Sequence, residues 1–232
     1  MLFSIISAHG TGKTTLVSYL HKSLKTETIP FVIIYGITRH CPFPVGKSSG
    51  RPSQNWVMST QKYFEDNCSN MCCPIITDRN MIDQYAYYIY WAGENKAIEK
   101  EIRTRYINNS RIYLMPLNSA YLIADGLRPV DINFQYEINS IILNILERLE
   151  INIFCDIVNF NENYKDDIVE DLKKVVSTDC ISKEVTNAEY DYDNNIFNKI
   201  VAINNLSFNN FQPSDFDKLF YNNLILPMRS LK

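Results

Sequence analysis

Leu2-Phe3-Ser4-Ile5-Ile6-Ser7-Ala8-His9-Gly10-Thr11-Gly12-Lys13-Thr14-Thr15 decides how the rest of the 232 residues is read. A short apolar run leads into a glycine-bearing turn, and Lys-Thr opens an amphipathic helix with Leu16, Tyr19 and Leu20 on one face. That order predicts a strand, a phosphate-binding loop and a helix whose positive end meets the phosphates. Gly10 and Gly12 permit close backbone approach, Lys13 supplies charge, and Thr14 is the hydroxyl expected on the Mg²⁺ side. Ala8, His9, Thr11 and Thr15 complete the expected cradle for ATP. The pattern G-x-x-x-x-G-K-[ST] has glycine where this chain has Ser7. Serine fits if that residue keeps ordinary strand-end dihedrals.

The chain has the length of one domain, or of one domain with an appendage. Its 46% apolar content supports a full core. A net charge of −3 argues against indiscriminate binding to nucleic acid or anionic membrane, though not against a local basic cleft. No basic leader precedes the first strand and no apolar run nears the ~20 residues of a membrane span, so a cytoplasmic setting with reduced cysteines is expected. Cys68, Cys72 and Cys73 stand close together, but no second ligand pair follows at zinc-site spacing.

Outward from the loop, Pro30 to Tyr35 reads as a second buried strand. Gly36 to Pro52 is a long loop with three prolines, three glycines and the cations Arg39, Lys47 and Arg51. It is either a solvated surface loop or an acceptor-binding one. Ser53 to Asn67 reads as a helix capped by Ser53. On it, Trp56 is either core or a base-stacking residue, and Gln54 and Gln61 could read a base edge. Pro74 to Arg79 is a strand that ends in an acid and a base. Ligands lie beyond the carboxyl ends of strands in open α/β sheets, so Asp78 and Arg79 belong beside the phosphates. Asp78 could take an acceptor proton, hold Mg²⁺ through water, or merely cap the next helix. The second strand ends in Tyr35-Gly36-Ile37-Thr38, without a carboxylate, which makes Asp78 the leading acid.

The next helix carries Met81, Ile82, Tyr85, Ala86, Ile89 and Tyr90 as an apolar stripe, with Asp83 facing either site or solvent. Lys96 to Asn108 follows as a charged helix with a Glu99–Arg103 pair and a solvated cationic face. Arg111 to Pro116 is a fourth strand. Beyond it, Asp125-Gly126-Leu127-Arg128 suits either a surface turn or a lid whose arginine meets the transferring phosphoryl group. Asp131 opens a long helix, Ile151 to Cys155 is a fifth strand, and Asn161 or Asn163 begins a last helix. Strands alternating with helices imply an α/β three-layer sandwich around a five-stranded parallel sheet with right-handed crossovers. Residues 1–176 form this domain. Residues 177–232 read as a partly helical appendage, packed on the domain or mediating a homodimer.

This order of motifs resembles the P-loop kinases of the AAA-like group that includes the ribosylnicotinamide kinase domain. It is similar, more distantly, to thymidylate and deoxynucleoside kinases. The resemblance rests on Ser7 to Thr14, on Thr77-Asp78-Arg79 followed by Asp83 and Tyr87, and on Asp125 to Arg128. It implies ATP- and Mg²⁺-dependent phosphoryl transfer, with Asp78-Arg79 in the place of the acid-arginine pair of nucleoside kinases and Arg128 in that of a lid arginine. The implied acceptor is a hydroxyl of a nucleoside, nucleotide or related small molecule. Because some phage relatives phosphorylate hydroxymethylated bases in DNA, a base or sugar hydroxyl in DNA is the alternative. A nucleotide-dependent switch or ATPase is the third reading. The choice between ATP and GTP stays open.

Overall fold

The computed structural model describes residues 1–27, 31–68, 74–107, 110–118, 122, 130–158 and 160–179. The elements run β1 (Leu2–Ile6), α1 (Lys13–Thr26), β2 (Val32–Ile34), α2 (Arg51–Cys68), β3 (Ile75–Asp78), α3 (Met81–Ala92), α4 (Lys96–Tyr106), β4 (Ser110–Leu114), α5 (Ile132–Arg148), β5 (Cys155–Ile157) and α6 (Tyr164–Asp179). Two 3₁₀ turns, Ile37–His40 and Gly46–Ser48, fold the connection from β2 to α2. The five strands are parallel in the order β2-β3-β1-β4-β5, which puts the strand feeding the phosphate loop at the centre.

Strand alternation divides the core between two faces. Phe3 and Ile5 of β1 pack with Leu16, Val17 and Leu20 of α1 and with Ile168 and Leu172 of α6. On the other face, Ile6 joins the apolar stripe of α3 and Phe134, Ile138, Ile142 and Ile145 of α5. Helices on both sides of the sheet make the expected α/β sandwich of a P-loop kinase-type fold. Among the described residues, no helix is long and apolar enough to cross a membrane.

Several local expectations are corrected. Helix α2 begins at Arg51, so Ser53 lies inside its first turn and bonds back to Gly50 rather than preceding the helix. The fifth strand is Cys155–Ile157, later than expected, because α5 closes with Glu150 at φ 57 and Ile151 N–H donating to Leu146 O at 2.8 Å. This closure consumes the next residues in a turn. Arg105, expected on a solvated face, is largely enclosed and pairs with Glu65, Asp66 and Glu101. Glu99 pairs with Lys96 and Arg148, while Arg103 reaches Glu150. Helix α6 continues past 176 to Asp179, and residues 180–232 lie outside the described residues. Cys68 is buried; Cys72 and Cys73 are outside the described residues.

Candidate active site

Beyond the carboxyl ends of β1, β2 and β3 lies a cleft of about 280 Å³. His9 through Thr15 form one wall. Asp78, Arg79, Gln84 and Tyr87 supply another, and Thr38, Arg39, His40 and Gly46 come from the β2–α2 connection.

The phosphate loop takes its shape from two left-handed residues, Gly10 at φ 65 and Gly12 at φ 87. A Cβ on Gly10 would come within 2.7 Å of Leu122 Cδ1 and 3.2 Å of Leu122 Cα, so both dihedral and space demand glycine. Ser7 keeps a negative φ, which is why serine is tolerated there. Gly12 caps α1 without a side-chain bond, and no acid stands in the first turn. The helix therefore directs uncapped N–H groups and the positive end of its dipole at the cleft. Lys13, 5% exposed, donates to Ser7 O at 3.0 Å, to Ala8 O and to Thr11 Oγ1 at 3.1 Å. Ala8 stays in the core and contributes its carbonyl to this set. These residues fit a nucleoside triphosphate: an uncapped helix end, a glycine where a side chain has no room, and a lysine held against the loop.

Thr14 Oγ1 donates to Asp78 Oδ2 at 2.6 Å. Asp78 is 3% exposed, so β3 presents its carboxylate to the loop hydroxyl from the neighbouring strand. It does not cap α3. That role falls to Asn80, whose side chain accepts from Ile82 N while Asp83 accepts from Asn80 N, a reciprocal capping box. The space next to Asp78 is kept open by Gly36, whose Cβ would stand 3.5 Å from Asp78 Oδ2. The strand end that lacks an acid thus abuts the one that has it.

Arg79 has φ 84, a conformation an L side chain adopts at a cost. Its N–H donates to Ile5 O at 3.0 Å, and its carbonyl accepts from Gln61 Nε2 at 3.2 Å. The guanidinium pairs with Asp83 at 3.2 Å and lies 5.2 Å from the Tyr87 ring centroid. Burial works against its charge, but Tyr87, Asp83 and Asp78 outweigh that and hold its pKa above the ordinary arginine value. Burial pushes the Asp83 carboxyl up, against the pull of Arg79 and Lys13. Burial, then the neighbouring Arg39 charge, lowers the His40 pKa.

Of the expected site residues, His9, Gly10, Thr11, Gly12, Lys13, Thr14, Thr15, Arg39, Gln54, Asp78 and Arg79 meet at the cleft. Arg51 stands at the exposed start of α2, outside the cleft lining. Trp56 packs with Ile37 and Val57 in an apolar cluster. Gln61 is buried beneath Arg79 and bonds Glu65 Oε1 at 2.9 Å, so it cannot meet a base there. Asp83 holds Arg79 from behind. Asp125 and Arg128 lie outside the described residues. Sequence reasoning passed over Gln84 and Phe134 on the lining, and gave Tyr87 no role. Asn80, Gln84 and Tyr87 recur at i, i+4 and i+7, a polar stripe beside the apolar one.

The AAA domain family model matches residues 2–162, and the chain belongs to that family. No curated protein matches the chain in sequence. Two solved structures of deoxyadenosine kinase from M. mycoides share the fold. The one with bound dATP is 14% identical, with TM-score 0.51 over 75% of this chain and 99% of that one. The one with products dCMP and a flexible dCDP is 13% identical, with TM-score 0.50 over 76% and 100%.

Proposed function

We propose that this AAA-domain chain is a kinase that moves the terminal phosphoryl group of ATP to a hydroxyl of a nucleoside, nucleotide or related small molecule. The Thr14–Asp78 hydrogen bond carries the reading: it closes phosphate loop, acid and cleft into one constellation, with Lys13 and Arg79 alongside. The deoxyadenosine kinases of similar fold, which hold dATP, dCMP and dCDP, support a nucleoside-like acceptor.

Bound Mg·ATP supplies the transferable phosphoryl group. Gly10, Gly12 and the α1 N-terminus hold its phosphates, and Lys13 offsets their charge. Thr14, through its hydroxyl, and Asp78, through water, would hold Mg²⁺, which would offset charge on the phosphates. Asp78 also stands where an acceptor hydroxyl is oriented and its proton received as oxygen attacks phosphorus. Arg79 neutralises charge that spreads over the phosphoryl oxygens in transit. Positioning and electrostatics carry such a reaction, so Lys13→Ala lowers its rate by about 10³-fold or more.

A DNA acceptor would need the cations of the 36–52 connection, Arg39, Lys47 and Arg51, to meet its phosphates. Arg39 lines the cleft, but Lys47 pairs with Asp131 and Arg51 stands outside the lining, which favours a small acceptor.

The deciding experiment offers γ-labelled ATP or GTP with Mg²⁺ to pooled nucleosides, pooled nucleotides, and plain or hydroxymethylated DNA. Label in a small molecule upholds the proposal. Label in DNA transfers it to the polymer, and label released only as free phosphate replaces it with a nucleotide-dependent switch or ATPase. Near-normal transfer by a folded Lys13→Ala variant overturns the assignment of the loop.

A further inference from the structure

Tyr87 sits on α3 two turns beyond Arg79, partly buried, with its ring packed against the edge of the core that this helix shares with α5. Its hydroxyl accepts the backbone N–H of His9 at 3.0 Å and lies 3.0 Å from His9 Nδ1. A phenol can do both, accepting from the amide while giving its own proton to the imidazole. The Arg79 guanidinium lies over its ring. Phe134 seals the group, with its ring centroid 5.2 Å from that of His9 and 6.1 Å from that of Tyr87. The His9 carbonyl accepts from Gln135 Nε2 at 2.6 Å.

Both backbone groups of His9 are therefore held by side chains of other elements, one from α3 and one from α5. Amides of a phosphate loop ordinarily turn toward phosphate, whereas this one is tied to the helix that follows Arg79. The loop bend and the arginine thereby share one anchor. Apolar packing alone would be served equally by phenylalanine, and a buried hydroxyl costs stability unless it is bonded.

Resting on the kinase reading above, we propose that Tyr87 is a positioning residue that locks the phosphate loop and Arg79 into one frame. The loop then holds the donor at the distance at which the arginine meets the phosphoryl group in transit. Losing the hydroxyl leaves each part present but free to drift, which harms the transition state more than the ground state.

The test compares wild type, Tyr87→Phe, Arg79→Ala and the double variant, using two probes in the full-length protein. Mg·ATP reports the ground state, and Mg·ADP with aluminium fluoride mimics the phosphoryl group in transit. Tyr87→Phe is expected to weaken Mg·ATP binding by about fivefold, the size of one hydrogen bond, and the mimic by about 50-fold. Adding it to Arg79→Ala should cost the mimic little more, because the two residues act as one unit. Equal affinities for wild type and Tyr87→Phe overturn the proposal, as does a loss that adds in full to that of Arg79→Ala. A lowered melting temperature with both affinities intact would make Tyr87 a packing residue only. Wild type that binds neither probe would instead sink the kinase reading itself. A second measurement needs no variant: the His9 amide proton should exchange slowly with solvent in nucleotide-free protein, and rapid exchange overturns the anchor.

Discussion

Thr14 Oγ1 and Asp78 Oδ2, 64 residues apart in the chain, meet at 2.6 Å because β1 and β3 are neighbours in register, Ile5 opposite Asp78. Asparagine at 78 can still accept this bond but can neither receive a proton nor attract a cation. Asp78→Asn should keep the fold and its melting temperature while lowering phosphoryl transfer by about 10²- to 10³-fold. Thr14→Ser should stay within about tenfold of wild type, since it retains the hydroxyl. Rates at saturating Mg·ATP with the acceptor identified by label transfer check both, and the pH profile separates loss of a base from loss of a metal ligand.

Gly10 and Gly93 both have positive φ, yet their alanine variants should behave differently. At Gly93, φ 80, a Cβ meets nothing within 4 Å, so Gly93→Ala pays only for the dihedral, about 1–3 kcal/mol. At Gly10 the added methyl also presses on the Leu122 backbone at 3.2 Å. Gly10→Ala should lose comparable stability and, in addition, weaken Mg·ATP binding by more than about tenfold. Urea denaturation beside nucleotide titration distinguishes them, and equal nucleotide affinity would contradict the account of the loop.

Gln61 is a strut. Its amide joins Glu65 to the carbonyl of Arg79, the residue held at φ 84. Gln61→Leu leaves one bond of Glu65 and the Arg79 carbonyl unmet, at a cost of about 1–3 kcal/mol. Chemical denaturation should show this loss, with transfer slowed because Arg79 is less firmly held. Unchanged stability would mean that water replaces the amide.

Glu65 gives the stability a pH dependence of definite sign. Burial raises its pKa, against Arg105, Gln61 and Tyr106, so the folded protein holds this proton more tightly than the unfolded chain. Unfolding then releases a proton, and on this account stability declines as pH rises from the ordinary glutamate value near ~4.3 through the raised folded value. Glu65→Gln has no such group. The stability difference between wild type and variant, followed by thermal melts from about pH 4 to 8, should shift against the wild type as pH rises. A difference that is flat, or that moves in the wild type's favour, would contradict this.

What was legible in the sequence is what local chemistry alone dictates. Gly10, Gly12 and Lys13 specify a loop whatever surrounds them, and an apolar run ending in Asp78-Arg79 puts an acid and a cation at a strand's end. The interior polar layer was not legible. Gln61, Glu65 and Arg105 lie on helices with ordinary amphipathic spacing, and spacing does not say which polar side chain turns inward to meet another helix's charge. Arg105 looked solvated for that reason. Trp56 and Gln61 share a helix with Gln54, yet only Gln54 reaches the cleft, because the rotation of α2 depends on its packing against α3 and the Ile37 turn. Tyr87 was missed as a site residue because its partners, a backbone amide of residue 9 and a ring at 134, have no signature near position 87.

Asp83 closes the first turn of α3 and also grips Arg79. Helix start and the Arg79 guanidinium therefore form one cooperative unit: a fluctuation that frays this turn also releases the arginine. Local opening events set a ceiling on the fraction of molecules competent at any instant. The amide protons of Asn80 and Ile82, bonded within the same capping box, are spectators that report on this fraction. Their exchange rates, read without nucleotide, measure how often Arg79 is let go.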